Sequence, residues 1–324
     1  MNRARDMVRP MRRWLAPVGL AEVGRFLGLL SALMLGATDL AAETPTGKVV
    51  VVNSDAGIEK YKLAQQAFRE SFPGEVSVVD IAHLTERQAL RAIRAEAPTA
   101  LYGIGAKASV AVTKASRGKP VVVSSVINWN RLPEVRSPGV HVVANELPSQ
   151  TQLTLFRYFF PGVKRVGVLY SRDYNRQWLA GAVAAGKDVG IEVIGVPVRS
   201  SRSVDSGLAE LLPKVDALWV ASDPVVLADE ASVRRLFAAI AAARKPSFTY
   251  ASAFAEFGPT LIVAPDVPTI GRQAAGILKA RGNGGAKEVQ SPAGSEIILN
   301  LGAVRDYGLQ LNEEARDSVN RFIR

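Results

Sequence analysis

Apolar positions along this chain fall into short β-branched runs. Each run is followed by a polar turn and then by apolar residues at helical spacing. The clearest unit spans residues 155–174, LFRYFFPGVKRVGVLYSRDY. A short amphipathic helix stops at Pro161-Gly162, an apolar strand covers 166–170, and a polar turn opens a second helix at about Asn175. The unit recurs at 217–243, where Ala-Leu-Trp-Val runs into Ser222-Asp223-Pro224 and a helix. A repeated strand, polar turn and helix predict an α/β fold of parallel sheets with ligand groups at the strand ends.

Taken in order, KVVVV at 48–52 reads as a buried strand. Its turn is Asn53 to Gly57, and Ser54 or Asp55 can cap the helix expected over 58–72. Further strands are expected at 76–80, ahead of Gly103-Ile104-Gly105, at 120–125 and at 140–144. The helix 106–116 follows the third strand, and Ile127-Asn128-Trp129-Asn130 follows the fourth. Residues 145–150 read as a crossing. A second series then begins, with a helix at 150–160, strands at 166–170, 191–198, 217–220, 246–250 and 261–264, and helices between them. A helix at 270–281, a Gly-Asn-Gly-Gly loop at 282–285 that is flexible by composition, a last strand at 295–300 and two short helices complete the chain.

This order predicts two doubly wound parallel-sheet lobes joined by a multi-stranded hinge. Lobe one takes 47–146 plus about 267–283, and lobe two takes 147–266 plus about 288–324. Three linkers between lobes make a cleft that opens and closes about the hinge.

Composition narrows the chemistry. The 324 residues contain no cysteine, which excludes disulfides, thiolate metal sites, a thiol nucleophile and a lipid anchor on an N-terminal Cys. His83 and His141 are far apart in sequence, so a histidine metal cluster is not expected, and each reads as a surface or half-buried side chain. No Gly-x-Ser-x-Gly, Walker loop or Ser/His/Asp arrangement is present, and Gly103-Ile104-Gly105 lacks the third glycine of a dinucleotide fingerprint. Neither an enzymatic role nor a cofactor is expected.

The first 42 residues read as an export signal. Arg3, Arg5, Arg9, Arg12 and Arg13 form a basic region, and FLGLLSALML at 26–35 is an apolar core of signal-peptide length, short of a membrane span. Small residues at Ala37, Ala41 and Ala42 suit cleavage, and Met7 or Met11 can serve as an alternative start. A periplasmic or otherwise exported location is expected. The formal charge is +10, of which six Arg less three acids place +3 within 1–42 and leave +7 on the remainder. No helix-turn-helix, zinc finger or interleaved basic-aromatic stripe accompanies it, so no nucleic-acid partner is expected.

The segments PGVKRVGVLYSRDYN, VDALWVASDPVV, KPSFTYASAFAEFG, GRQAAGILK and LNLGAVRDYGLQL carry a family resemblance through their order and spacing. The chain resembles exported solute-binding proteins of bacterial ABC transporters, with the type I periplasmic-binding fold, over roughly residues 48–312. Some members of that family bind tryptophan or tyrosine. The chain departs from the family pattern at Gly105-Ala106 (usually Gly-Thr), at 140–144 (usually Asn-Ile-Thr-Gly-Val) and at Asp223-Pro224 (often Asp-Asn). These changes fall where a ligand would sit.

In such a fold the strand C-terminal ends and following helix N-termini line the crevice and attract polar or anionic groups. The candidates in lobe one are Ser54, Asp55, Gly105, Ala106, Asn128 and Trp129, and in lobe two Ser171, Arg172, Asp223, Tyr250 and Ser252. Asp223 can receive an ammonium or hydroxyl, or cap a helix that starts at Pro224. Trp129 can stack on a ring or cover a sheet edge, and Arg172 can clamp an anion or stay solvated. The resemblance implies a monomer that closes on a small polar or aromatic-carboxylate solute and docks on a membrane permease. Two rivals remain open at this level: a periplasmic sensory or export-assembly protein on the same fold, and an enzyme using the cleft.

Overall fold

Four consecutive valines begin the first strand, and their alternation builds two cores at once. The computed structural model describes residues 47–280 and 289–324. The expected export signal (1–42) and the glycine-rich loop (282–285) lie outside the described residues. The first half runs β1 (Val49–Asn53), α1 (Glu59–Ser71), β2 (Val76–Asp80), α2 (Glu86–Ala95), β3 (Ala100–Ile104), α3 (Ala106–Ala115), β4 (Val121–Ser124) and β5 (Val140–Val143). The second runs α4 (Ser149–Phe159), β6 (Arg165–Tyr170), α5 (Arg172–Val189), β7 (Glu192–Pro197), α6 (Val204–Leu211), β8 (Ala217–Val220), α7 (Glu230–Ala242), β9 (Ser247–Thr249) and β10 (Leu261–Pro265). It is followed by α8 (Val267–Ala280), β11 (Val289–Gln290), β12 (Ser295–Asn300), α9 (Leu301–Asp306) and β13 (Arg321–Ile323).

Six strands form the first sheet, in the order β11-β5-β4-β3-β1-β2, all parallel. Val49 and Val51 pack with Phe68 of α1 and Ile270 and Ala274 of α8 on one face. Val50 and Val52 pack with Ala89 and Ile93 of α2 and Ala108 and Val112 of α3 on the other. A strand covered on both faces must be apolar throughout, which is why the period-two alternation is absent from the sequence here. The second sheet runs β13-β12-β10-β9-β8-β6-β7, with β12 antiparallel to β10 and the other pairs parallel. Phe156, Phe159 and Phe160 meet Trp219 and Phe248 under α4 and α5, and α6 and α7 cover the opposite face through Leu208, Leu211, Leu236 and Phe237.

The chain passes between the sheets between β5 and α4, between β10 and α8, and between β11 and β12. β11 pairs with β5, so the first sheet includes a segment that the sequence boundaries grouped with the second. β13 follows the expected last strand and closes the edge of the second sheet. It is three residues long and exposed at Arg321 and Phe322, a signal too short for pattern reading. His141 is buried within β5 rather than at the surface, and His83 is exposed. Among the described residues, no helix is long and apolar enough to cross a membrane.

Candidate functional site

Each parallel strand ends in a polar turn, and the local hydrogen bonds decide which turns are free to meet a ligand. After β1, the Ser54 hydroxyl accepts from the Ala108 main-chain N–H at 2.9 Å, so it caps α3 and not its own helix. The expected cap of α1 by Ser54 or Asp55 does not form, because Asp55 Oδ1 accepts from Gly57 N at 2.9 Å and Ile58 stands at the cap position. Gly105 sits at φ +83°, and a Cβ there would lie 2.7 Å from Ser54 Oγ and 2.8 Å from the Tyr61 ring. That contact and the positive φ explain the glycine. Ala106 is exposed on the first turn of α3.

In the second sheet, Asp223 is buried, at 1% exposure. Its Oδ2 accepts from Ser171 N at 2.7 Å and Asn175 Nδ2 at 2.8 Å, and its Oδ1 accepts from Val225 N at 2.9 Å and Val226 N at 3.2 Å. Four donors fill the acceptor capacity of one carboxylate. Asp223 therefore ties the turn after β8 to the start of α5. The helix expected directly after Pro224 starts only at Glu230, where Asp229 accepts from Ser232 N at 2.7 Å. Arg172 is exposed on α5, which begins three residues earlier than the sequence pattern implied. Ser252 opens a 3-10 turn, Ser252–Phe257, and is half-buried.

The turn after β4 reaches across to the second sheet. Ser125 and Asn128 both have positive φ, +58° and +52°. Sparsely populated backbone of this kind persists only where surrounding contacts enforce it. Asn128 Nδ2 donates to Ser222 Oγ at 3.1 Å, and Asn128 N donates to the Glu146 carboxylate. Arg131 extends the bridge, with Nη2 donating to Tyr174 O at 2.5 Å and Asn175 Oδ1 at 2.9 Å and its guanidinium 4.9 Å from the Tyr174 ring centroid.

Beside this bridge lies a cavity of about 250 Å³. Trp129, Trp178, Trp219 and Tyr250 supply its aromatic wall, and Asn128, Glu146, Gln152, Asn175 and Ser222 its polar groups. Trp178 and Trp219 meet edge to face at 4.9 Å, and Trp219 Nε1 donates to Gln152 Oε1 at 3.2 Å. Gln152 in turn donates to Leu147 O at 2.8 Å. These bonds hold the indole floor in one orientation, since a buried indole N–H finds a partner. Of the eleven residues singled out from sequence, Asn128, Trp129 and Tyr250 line this cavity. Ser54, Asp55, Gly105, Ala106, Ser171, Arg172, Asp223 and Ser252 lie outside its lining.

Sequence reasoning missed Glu146, Gln152, Asn175, Trp178, Trp219 and Ser222. Glu146 had one readable signal, an acid inside the interlobe crossing at 145–150. Trp178 and Trp219 read as helix and strand core, and their rings do pack there. Burial pushes the Glu146 carboxyl above the ordinary glutamate range, against the pull of the Asn128 and Asn145 N–H groups and of Arg131. Burial likewise raises the Tyr250 phenol, opposed by its hydrogen bond with Ser222 and reinforced by the charge of Glu146. Among the described residues, no group of three or more His, Cys, Asp or Glu is placed to hold a metal ion.

A family model described as ABC transporter substrate binding protein matches residues 54–321. No curated protein sequence matches the chain. The chain is similar in fold to an ABC domain in complex with L-Trp from Streptococcus pneumonia, at 18% identity and TM-score 0.58, over 86% of this chain and 100% of that one. It is also similar to the ligand-free, open structure of CD0873, a substrate binding protein with adhesive properties from Clostridium difficile. There the identity is 16% and the TM-score 0.67, over 86% of this chain and 99% of that one. A conserved domain protein from Vibrio cholerae matches at 20% identity and TM-score 0.57, over 86% and 100% of the two chains.

Proposed function

This chain belongs to the ABC transporter substrate binding protein family, whose members bind solutes and are not enzymes, and we propose that it captures its solute in the cavity beside the Asn128–Ser222 bridge. The observation that carries this reading is convergence. Turns from two sheets, 94 residues apart in sequence, meet through side chains at the edge of one cavity. Only a solute that contacts both turns binds the joined form better than the parted form, and that difference in affinity drives closure.

The protein is exported, and the closed form docks on the membrane permease of an ABC transporter. Export follows from the basic and apolar pattern of residues 1–42 and from the habit of the family. The solute is small, with an apolar body matched to the Trp and Tyr wall and polar groups matched to Asn128, Glu146, Gln152 and Asn175. The L-Trp carried by the Streptococcus relative supports a ring-sized ligand.

Titration of the purified protein with a metabolite panel tests the reading. Panel members include amino acids, amines, sugars and organic acids. Trp129, Trp178 and Trp219 all border the cavity, so a bound solute changes intrinsic fluorescence and raises the melting temperature. If no panel member does either, the solute-binding reading fails.

A further inference from the structure

The charged side chain that lines the cavity is an acid. Among its lining residues Glu146 is the only ionisable side chain other than Tyr250, and none is Lys, Arg or His. Arg131 is nearby, but its Nη2 is held by Tyr174 O and Asn175 Oδ1 and its face lies over the Tyr174 ring. Glu146 is held by main-chain N–H groups of Asn128 and Asn145. A carboxylate has about four acceptor positions, so donors from a ligand still find room there. A ligand carboxylate entering this cavity would lose its water without gaining a cation, which is strongly unfavourable. An ammonium meets a carboxylate, which attracts positive charge, and aromatic rings, which attract it over their faces.

We infer that the ligand is a small organic cation, an ammonium group on an apolar body, whose charge meets Glu146 and whose body lies against Trp129, Trp178 and Tyr250 above the Trp219 floor. This inference rests on the solute-binding reading and specifies its ligand class. It separates this chain from a binder of free amino acids, whose carboxylate needs a positive partner. In this cavity the main-chain N–H groups at the start of α4, near Ser149, are the one positive pole such a carboxylate would find.

Matched ligands test the charge requirement. Tryptamine, tryptophan and indole-3-acetate share a ring and differ in charge, as do phenethylamine, phenylalanine and phenylacetate, and choline adds a quaternary cation. Calorimetry on the wild-type protein is expected to rank amine above amino acid by at least tenfold in both series, with the acids not binding. Glu146→Gln is expected to weaken the amines at least tenfold while its melting temperature shows it folded. Should that variant fail to fold, the wild-type pH profile replaces it. Amine affinity then falls as pH drops through the raised Glu146 carboxyl. Arg131 and Tyr250 are the other charged or titratable groups facing that carboxyl, and Ser149 and Gln152 face the cavity uncharged from α4.

An amino acid or acid that binds as tightly as its amine overturns the inference. So does retained amine affinity in Glu146→Gln, or the absence of binding by all three cations. In the last case, a sugar or organic acid that binds from the wider panel leaves solute binding standing. A panel with no binder at all removes both.

Discussion

Asn128 Nδ2 donates to Ser222 Oγ at 3.1 Å, which joins the turn after β4 in one sheet to the turn after β8 in the other. The two residues sit at strand C-terminal ends, where parallel α/β sheets place ligand groups. Both residues line the aromatic cavity, so their contact lies at its edge.

Arg131 adds two hydrogen bonds and a contact with the face of Tyr174 to that bridge. A charged hydrogen bond contributes about 1.5–3 kcal/mol where it is shielded, and less at a half-exposed site. Arg131→Ala is expected to weaken the bound ligand about tenfold and to increase the radius of gyration of the unliganded protein in solution scattering. Unchanged scattering and affinity would show that Arg131 does not hold the closed form.

Asp223 satisfies four donors from two segments, the start of α5 and the turn after β8, while buried. Removing the carboxylate leaves several of those N–H groups unpaired. Asp223→Ala is expected to lower unfolding free energy by about 2–4 kcal/mol, measured by urea titration. The effect appears without ligand, which distinguishes a structural tie from a ligand contact.

Gly271 lies where α8 crosses α1. A Cβ at that position would stand 2.3 Å from the Ala64 carbonyl oxygen and 3.1 Å from Ala67 Cβ. Gly271→Ala therefore forces the helices apart, and over-packing of this kind costs about 1–3 kcal/mol. Thermal melting of the variant checks this, and a midpoint equal to wild type would mean that α8 can shift freely.

Burial holds the Glu146 carboxyl above its ordinary range, so its charged form opposes folding of the empty protein. A raised folded-state value means that the stabilisation from protonation is present below the unfolded value and is lost as pH rises through the folded one. The empty Glu146→Gln protein is thus expected to melt above wild type near pH 8, with the difference shrinking to nothing near pH 4. Melting curves across that range measure it, and a variant less stable than wild type at pH 8 would contradict the burial argument.

Pattern alone was enough for the α/β architecture, because four buried valines in β1 and the apolar run of β6 admit few other packings. The same pattern misread the caps. Ser54 serves α3 because β1 and β3 are neighbours in the sheet, and Asp223 holds a turn and α5 because β6 and β8 are neighbours. Strand order is a property of the folded sheet, and no local residue pattern encodes which turns it sets side by side.

Local periodicity and turn chemistry therefore determined the elements, the parallel sheets and the polar character of the strand ends. Only tertiary structure decided that Asn128, Trp129 and Tyr250 share a cavity with Glu146, Trp178 and Trp219 while Ser54 and Asp223 are taken up by the scaffold. The physical reason is that a buried donor or acceptor must be satisfied by whatever neighbour folding brings to it. Ser54 and Asp223 are spent on the frame in this way, while Asn128 and Glu146 border the cavity.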